Sequence, residues 1–215
     1  MGLAMASTEC QSAASRLSRE LIERRVIDSI AVKRAMLEPG LVDSLMRLSD
    51  EVSASLRAGG KLILFGNGGS AADATHVAAE FVGRFAFDRD PLAAMSLSDN
   101  VSSVTAIGND FGYESTFSRQ IRAFGSPGDV AIALSTSGTS VNVLTAIEAA
   151  REASMFVAVF TGTNGGDMAA LADIGFVVPS TVTARIQEAY MLYAHILCEG
   201  VERELFGWSA AAAAV

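Results

Sequence analysis

The chain has 215 residues, half of them hydrophobic and 19% charged, with four prolines against nineteen glycines. Such a chain can bury roughly 70–75% of its extended surface, which excludes a disordered, collagenous or disulfide-stapled protein. Sixteen Lys and Arg against 24 Asp and Glu leave a net charge of −8, so the basic footprint of a nucleic-acid binder is missing.

No apolar run approaches the ~18 residues of a membrane span. Residues 1–19 show no basic-then-apolar leader, and Cys10 and Cys198 stand far apart in no zinc or redox spacing. The expectation is a cytoplasmic protein with no membrane or nucleic-acid partner.

From about Ser12 to Leu56 the apolar residues recur at helical spacing: Leu17, Leu21 and Ile22, then Ile27, Ile30 and Met36, then Leu41, Leu45, Leu48, Val52 and Leu56. Gly40 and Gly59-Gly60 punctuate the pattern, and Pro39 suits the first turn of a second helix. These stripes are too thin for a core of their own, so residues 1–58 are expected to pack on the main domain or on a neighbouring subunit.

Residues 59–207 read differently. Short apolar runs at Lys61–Phe65, Ala93–Leu97, Val130–Leu134, Met155–Phe160 and Ile174–Val178 alternate with helical stretches at Ser70–Gly83, Ser115–Ala123, Asn142–Ala153 and Asp167–Ala172. Continuous apolar runs of this length suit strands buried on both faces. The expected fold is an α/β three-layer sandwich, a five-stranded parallel sheet flanked by helices, with ligands at the carboxyl ends of the strands. A long helix should follow from Arg185 to Phe206, and residues 208–215 read as a low-complexity tail.

The turns after the strands carry the chemistry. Gly66-Asn67-Gly68-Gly69-Ser70-Ala71 formally fits a dinucleotide fingerprint, but the first acidic residue after a second strand, Asp99, comes too late, and no Gly-Lys-Ser/Thr phosphate loop exists. Ser135-Thr136-Ser137-Gly138-Thr139-Ser140 precedes another helix. Hydroxyls this dense at a helix start offer donors to a phosphate, beyond what a simple N-cap needs. His76 and Glu80, at i and i+4, share a helix face and can share a metal or a proton. The chain's second histidine, His195, lies eight residues beyond Gln187, which on a regular helix sets their Cα atoms ~12 Å apart along the axis. If both bind one ion, their side chains must slant together, the helix must be irregular near Gln187, or a neighbouring subunit must contribute; on spacing alone His195 reads as a core histidine.

Taken together, Phe65-Gly66-Asn67-Gly68-Gly69-Ser70, His76-x-x-x-Glu80, Gly108-Asn109-Asp110-Phe111-Gly112, the Ser135–Ser140 turn and Arg185-Ile186-Gln187-Glu188 with His195 resemble the sugar isomerase (SIS) family of phosphosugar-binding domains, and within it the phosphoheptose isomerases. The resemblance implies a homotetramer with active sites near subunit interfaces. It further implies one zinc ion per subunit, on His76, Glu80, Gln187 and His195. Substrate contacts would fall on Asn67, Gly68, Gly69, Ser70, Glu80, Asn109, Asp110, Ser135, Thr136, Ser137, Ser140 and Gln187.

The activity it implies is aldose–ketose isomerisation of sedoheptulose 7-phosphate through an enediol(ate), serving nucleotide-activated heptose synthesis, with Glu80 as base and His195 as its acid/base partner. Thr139 stands where asparagine is usual, and the segment from Ser98 to Ser103 is one residue longer than in some relatives. Two alternatives are an isomerase of another long ketose phosphate, such as an octulose phosphate, and a non-catalytic tetrameric scaffold of the same fold.

Overall fold

Apolar runs with no polar alternation must bury both strand faces, and the five in this chain form one parallel sheet. Its strands are β1 (Leu62–Gly66), β2 (Ala94–Ser96), β3 (Val130–Ser135), β4 (Phe156–Thr161) and β5 (Ile174–Val177), in the spatial order β2-β1-β3-β4-β5. The chain is described here from a computed structural model covering residues 17–207; Cys10, the start of the first helical pattern and the alanine-rich tail lie outside the described residues. The helices are α1 (Arg19–Ala35), α2 (Pro39–Arg57), α3 (Gly69–Val82), α4 (Val101–Phe111), α5 (Thr116–Phe124), α6 (Val141–Glu152), α7 (Met168–Leu171) and α8 (Thr183–Phe206).

Successive strand residues point to opposite sides, which divides the core into two layers. Leu62, Leu64, Ile132, Leu134, Phe160 and Phe176 pack with α2, α3 and α8 through residues such as Leu48, Val77, Phe81 and Tyr190. On the other side Ile63, Phe65, Ala131, Ala133, Val157 and Val159 meet Phe117 and Ile121 of α5 and Val143, Ala146 and Ile147 of α6. The sandwich is the one expected, with the topological reversal between β1 and β3.

The first two helices are attached unequally. Leu45, Leu48 and Val52 of α2 are buried, with Pro39 in its first turn. No residue of α1 is buried; it is tied to α8 by polar contacts, Arg185 Nη1 to the Arg25 carbonyl at 2.6 Å and Ser29 Oγ to Glu188 Oε2 at 2.7 Å. Leu21, Ile22, Val26, Ile27 and Ile30 remain exposed along it.

One helix departs from the sequence expectation. Val101–Phe111, outside the helical stretches read from the sequence, is α4. Asn100 caps it, its Oδ1 accepting the Ser103 N–H at 3.0 Å. None of its residues is fully buried, although Val101, Val104, Ile107 and Phe111 recur at helical spacing along one side.

A buried ion pair fixes the loop after α3. The side chains of Arg89 and Glu202, each 1% exposed, meet at 2.7 Å. The Glu202 carboxylate also accepts the backbone N–H groups of Phe85 and Ala86 at 2.7 and 2.8 Å. Arg89 in turn donates to the carbonyls of Phe81 and Glu80, each at 2.8 Å. With every group answered, the desolvation of two charges is offset, whereas removal of one partner strands the other. Glu202→Ala is therefore expected to lower the free energy of unfolding in urea by about 3–5 kcal/mol, and Glu202→Gln, which keeps an acceptor oxygen, by less. A loss below about 1 kcal/mol for the alanine variant would show that the clasp contributes little.

Candidate active site

β1 delivers its turn directly onto α3, and the turn is held from below by α8. A Cβ placed on Gly69 would lie 2.5 Å from Gln187 Nε2, so glycine is what lets the α8 side chain come this close. Ser70, 4% exposed, shares a 2.8 Å hydrogen bond with the Tyr190 hydroxyl, which also donates to Asp73 Oδ2 at 3.0 Å and is hydrogen-bonded to Gln187. Burial pushes the Tyr190 hydroxyl well up, keeping it a proton donor. Burial also raises the Asp73 carboxyl, against the opposing effects of Tyr190 and His76. Of the residues expected to touch substrate here, Gly68 and Gly69 are exposed and Asn67 half-buried, while the Ser70 hydroxyl is committed beneath the turn.

The second turn follows β3, the neighbour of β1, with Gly66 opposite Leu134 in register. Its hydroxyls face one another: Ser135 Oγ lies 3.1 Å from Ser140 Oγ and 3.4 Å from Ser137 Oγ. Ser140 is the N-cap of α6, yet its side chain makes no capping hydrogen bond. An N-cap role thus does not consume it. Gly138 closes the turn at φ +69°, where a Cβ would stand 2.4 Å from the Gly165 carbonyl; Thr136 is half-buried, and Ser137 and Thr139 are exposed.

The two histidines, 119 positions apart in sequence, meet. His76 Nε2 is 3.1 Å from His195 Nε2 and 3.2 Å from Glu80 Oε1. The Phe85 ring, carried by the loop that Arg89 and Glu202 secure, stacks on His195 at 5.6 Å between centroids. His195 is only partly buried, which sets aside the core-histidine reading, and α8 is one continuous helix from Thr183 to Phe206, so no irregularity brings Gln187 toward it.

The donor set can be tested against zinc. Tetrahedral ligands at 2.0–2.1 Å from zinc stand about 3.3 Å apart, close to both contacts made by His76. His76 Nε2 can serve both contacts with one proton only by sharing it in a bifurcated hydrogen bond; a cation held by the lone pairs would meet all three groups directly. Among the described residues, however, no three His, Cys, Asp or Glu side chains close into a ready metal cage. The two contacts of His76 have the spacing of zinc ligands, and the three residues form a chain centred on His76 rather than a closed set.

Asn109 and Asp110 occupy the last turn of α4, exposed, with Asn109 Nδ2 donating to Asp110 Oδ1 at 2.8 Å. Just beyond them Tyr113 reaches back to Asn67, its hydroxyl donating to Oδ1 at 2.9 Å. Asn67 also exchanges two amide hydrogen bonds with Asn142, each 2.9 Å. Sequence reasoning passed over Tyr113, Asn142, Tyr190 and Phe85. The available signals were positional: Asn142 lies two residues past Ser140, and Tyr190 one helical turn past Gln187.

Comparison with known proteins agrees with this arrangement. The family model described as SIS domain matches residues 27–162. The chain is similar to a phosphoheptose isomerase of Burkholderia pseudomallei, 47% identical over 193 residues, covering 88% of this chain and 98% of the relative. It is also similar to one of Paramagnetospirillum magneticum, 54% identical over 160 residues, covering 74% and 83%. Among solved structures, the phosphoheptose isomerase GmhA from Neisseria gonorrhoeae superposes with a TM-score of 0.80 at 41% identity, over 86% of this chain and 98% of that one. The chain therefore belongs to the SIS domain family and, within it, to the phosphoheptose isomerases.

Proposed function

We propose that this protein interconverts sedoheptulose 7-phosphate and a heptose 7-phosphate through an enediol(ate), as a step toward nucleotide-activated heptose. The observation that carries the reading is the pairing of a self-facing hydroxyl turn with a His76–Glu80–His195 cluster. His76 lies seven residues along α3 from Gly69, about 10 Å of axial rise. The glycine turn, set beside the hydroxyl turn by the β1–β3 pairing, therefore stands two helical turns from the cluster, as a sugar chain held between phosphate and carbonyl requires.

In this reading Ser135, Thr136, Ser137 and Ser140 hold the phosphate through O–H and N–H donors. Binding energy from that remote group positions carbons 1 and 2 for proton transfer. Glu80 takes the proton from carbon 1 of the ketose as a carbon 1–carbon 2 double bond forms, while the carbonyl oxygen gains a proton from His195. Return of a proton from Glu80 to carbon 2 and loss of the oxygen 1 proton to His195 give the aldose, with no net change in protons. Asn109, Asp110 and Gln187 bind sugar hydroxyls. His76, Glu80 and His195 would hold zinc, which when bound would supply polarisation of the carbonyl and stabilisation of the enediolate charge, and Gln187, the fourth donor the resemblance implies, would have to reach it from a neighbouring subunit.

Assembly belongs to the same reading. The exposed apolar side chains of α1 border a groove of about 610 Å³ lined by Leu21, Ile22, Val26, Ile30, Arg185 and Glu188. Apolar surface of this kind on a helix with no buried residue supports a homotetramer in which α1 is covered by a neighbouring subunit. Among the described residues no helix is long and apolar enough to cross a membrane, and cytoplasmic location remains part of the proposal.

Two measurements test it. Proton NMR of zinc-loaded protein with sedoheptulose 7-phosphate in heavy water is expected to show an aldose anomeric signal and solvent deuterium at carbon 2. Glu80→Gln should reduce turnover at least about 1,000-fold, and substantial residual activity would remove Glu80 from the role of base. Elemental analysis should find zinc stoichiometric with the wild-type chain and largely lost in His76→Ala; equal zinc in both would exclude His76 as a ligand.

A further inference from the structure

The Asn67 side chain is nearly used up by protein partners. Its Oδ1 accepts both the Asn142 amide and the Tyr113 hydroxyl, and its Nδ2 donates to Asn142 Oδ1, all at 2.9 Å. A carboxamide has two acceptor sites and two N–H groups, so both acceptor sites and one donor are taken, leaving one N–H for a ligand. Holding, rather than binding, is the larger part of what this side chain does.

What it holds is defined by where its partners sit. Asn67 opens the glycine turn after β1. Asn142, 4% exposed, is the second residue of α6 and lies two residues past the end of the hydroxyl turn after β3. Tyr113 comes three residues after Asp110. The second Asn142 N–H lies toward Thr116 Oγ1 at 3.4 Å, and that hydroxyl donates to the Tyr113 carbonyl at 2.8 Å. Thr145 of α6 adds a further tie, its hydroxyl donating to the Glu114 carbonyl at 2.7 Å. The three segments expected to contact the sugar phosphate thus converge on one carboxamide pair.

We infer that Asn142 and Tyr113 are positioning residues for the isomerisation: the reciprocal Asn67–Asn142 amide pair, closed from outside by the Tyr113 hydroxyl, sets the glycine turn, the hydroxyl turn and the Asn109–Asp110 end of α4 in register. The inference rests on the isomerase reading for its kinetic consequences, though the latch exists in the free protein. Tyr113 is 56% exposed, and its ring has little packing to lose. The hydroxyl is therefore the weak, removable side of the latch, and the buried amide pair the strong one. Because both act through Asn67 Oδ1, their effects should not add.

The experiment compares wild type, Tyr113→Phe, Asn142→Asp and the double variant, each confirmed folded by circular dichroism. Asn142→Asp is nearly isosteric but sets an oxygen against Asn67 Oδ1 where an N–H had been. Tyr113→Phe is expected to lower kcat/KM for sedoheptulose 7-phosphate about three- to tenfold, and Asn142→Asp at least about fiftyfold. The double variant should fall no further than Asn142→Asp. Inhibition by inorganic phosphate, which needs the hydroxyl turn alone, should change less than about twofold in Tyr113→Phe, a split that loss of general stability would not produce.

Hydrogen exchange on the ligand-free proteins gives the second, activity-independent readout. Amides of residues 109–115 should exchange faster in Tyr113→Phe, and those of 66–70 and 137–142 faster as well in Asn142→Asp, with the central strands unchanged. Unchanged exchange in these segments, or additive kinetic losses, would overturn the inference. If wild type fails to turn over the sugar, that failure falls on the isomerase reading, and the exchange data alone decide the latch.

Discussion

The parallel pairing of β1 with β3 is the constraint on which the site is built. The two strands are neighbours in space though separated in sequence by α3, β2, α4 and α5, so both leave the sheet at the same edge and deliver their turns side by side. Gly66 stands opposite the Leu134 carbonyl so closely that a Cβ would lie 2.7 Å from it. At that separation the carboxamides of Asn67 and Asn142 can exchange hydrogen bonds, and the glycine and hydroxyl turns become one surface. A slip in this pairing would move both turns at once, because parallel register ties every residue of one strand to its partner.

A second layer of order comes from α8. One continuous helix carries Gln187 against Gly69, Tyr190 beneath Ser70 and Asp73, His195 opposite His76, and Glu202 in the buried clasp with Arg89. Successive turns of one helix thereby meet the start, middle and end of α3 and the loop beyond it. The clasp lies outside the chemistry but bears on it, since the loop it holds brings Phe85 over His195. Burial of the Tyr190 hydroxyl and of the Cys198 thiol, which burial and nearby carboxylates push up, keeps both groups neutral within this interface. The charges are confined to groups with partners, which is the economical arrangement in a medium of low dielectric.

Much of this was legible in the residues themselves. The strands announced themselves because burial on both faces demands unbroken apolar runs, as in Val130–Leu134, and the hydroxyl turn because six residues carry five hydroxyls around one glycine. Helix α4 carries a weaker signal: Val101, Val104, Ile107 and Phe111 keep helical spacing, but they stand among small and polar residues and none is fully buried, so the stripe is less plain than that of α2. Asn109 and Asp110 lie at the end of that helix. Ser70 shows the opposite limit, since motif position groups it with the substrate turn while packing turns its hydroxyl toward Tyr190.

Local chemistry therefore determined most of the elements, the two turns and the His76–Glu80 pair, because periodicity, glycine and i,i+4 spacing act within a few residues and need no partner from elsewhere. The meeting of His76 with His195, the reciprocal amides of Asn67 and Asn142 and the reach of Tyr113 to Asn67 span 119, 75 and 46 positions. These were decided only by the tertiary structure, because strand order and the crossing of α8 over α3 bring distant residues within hydrogen-bond reach.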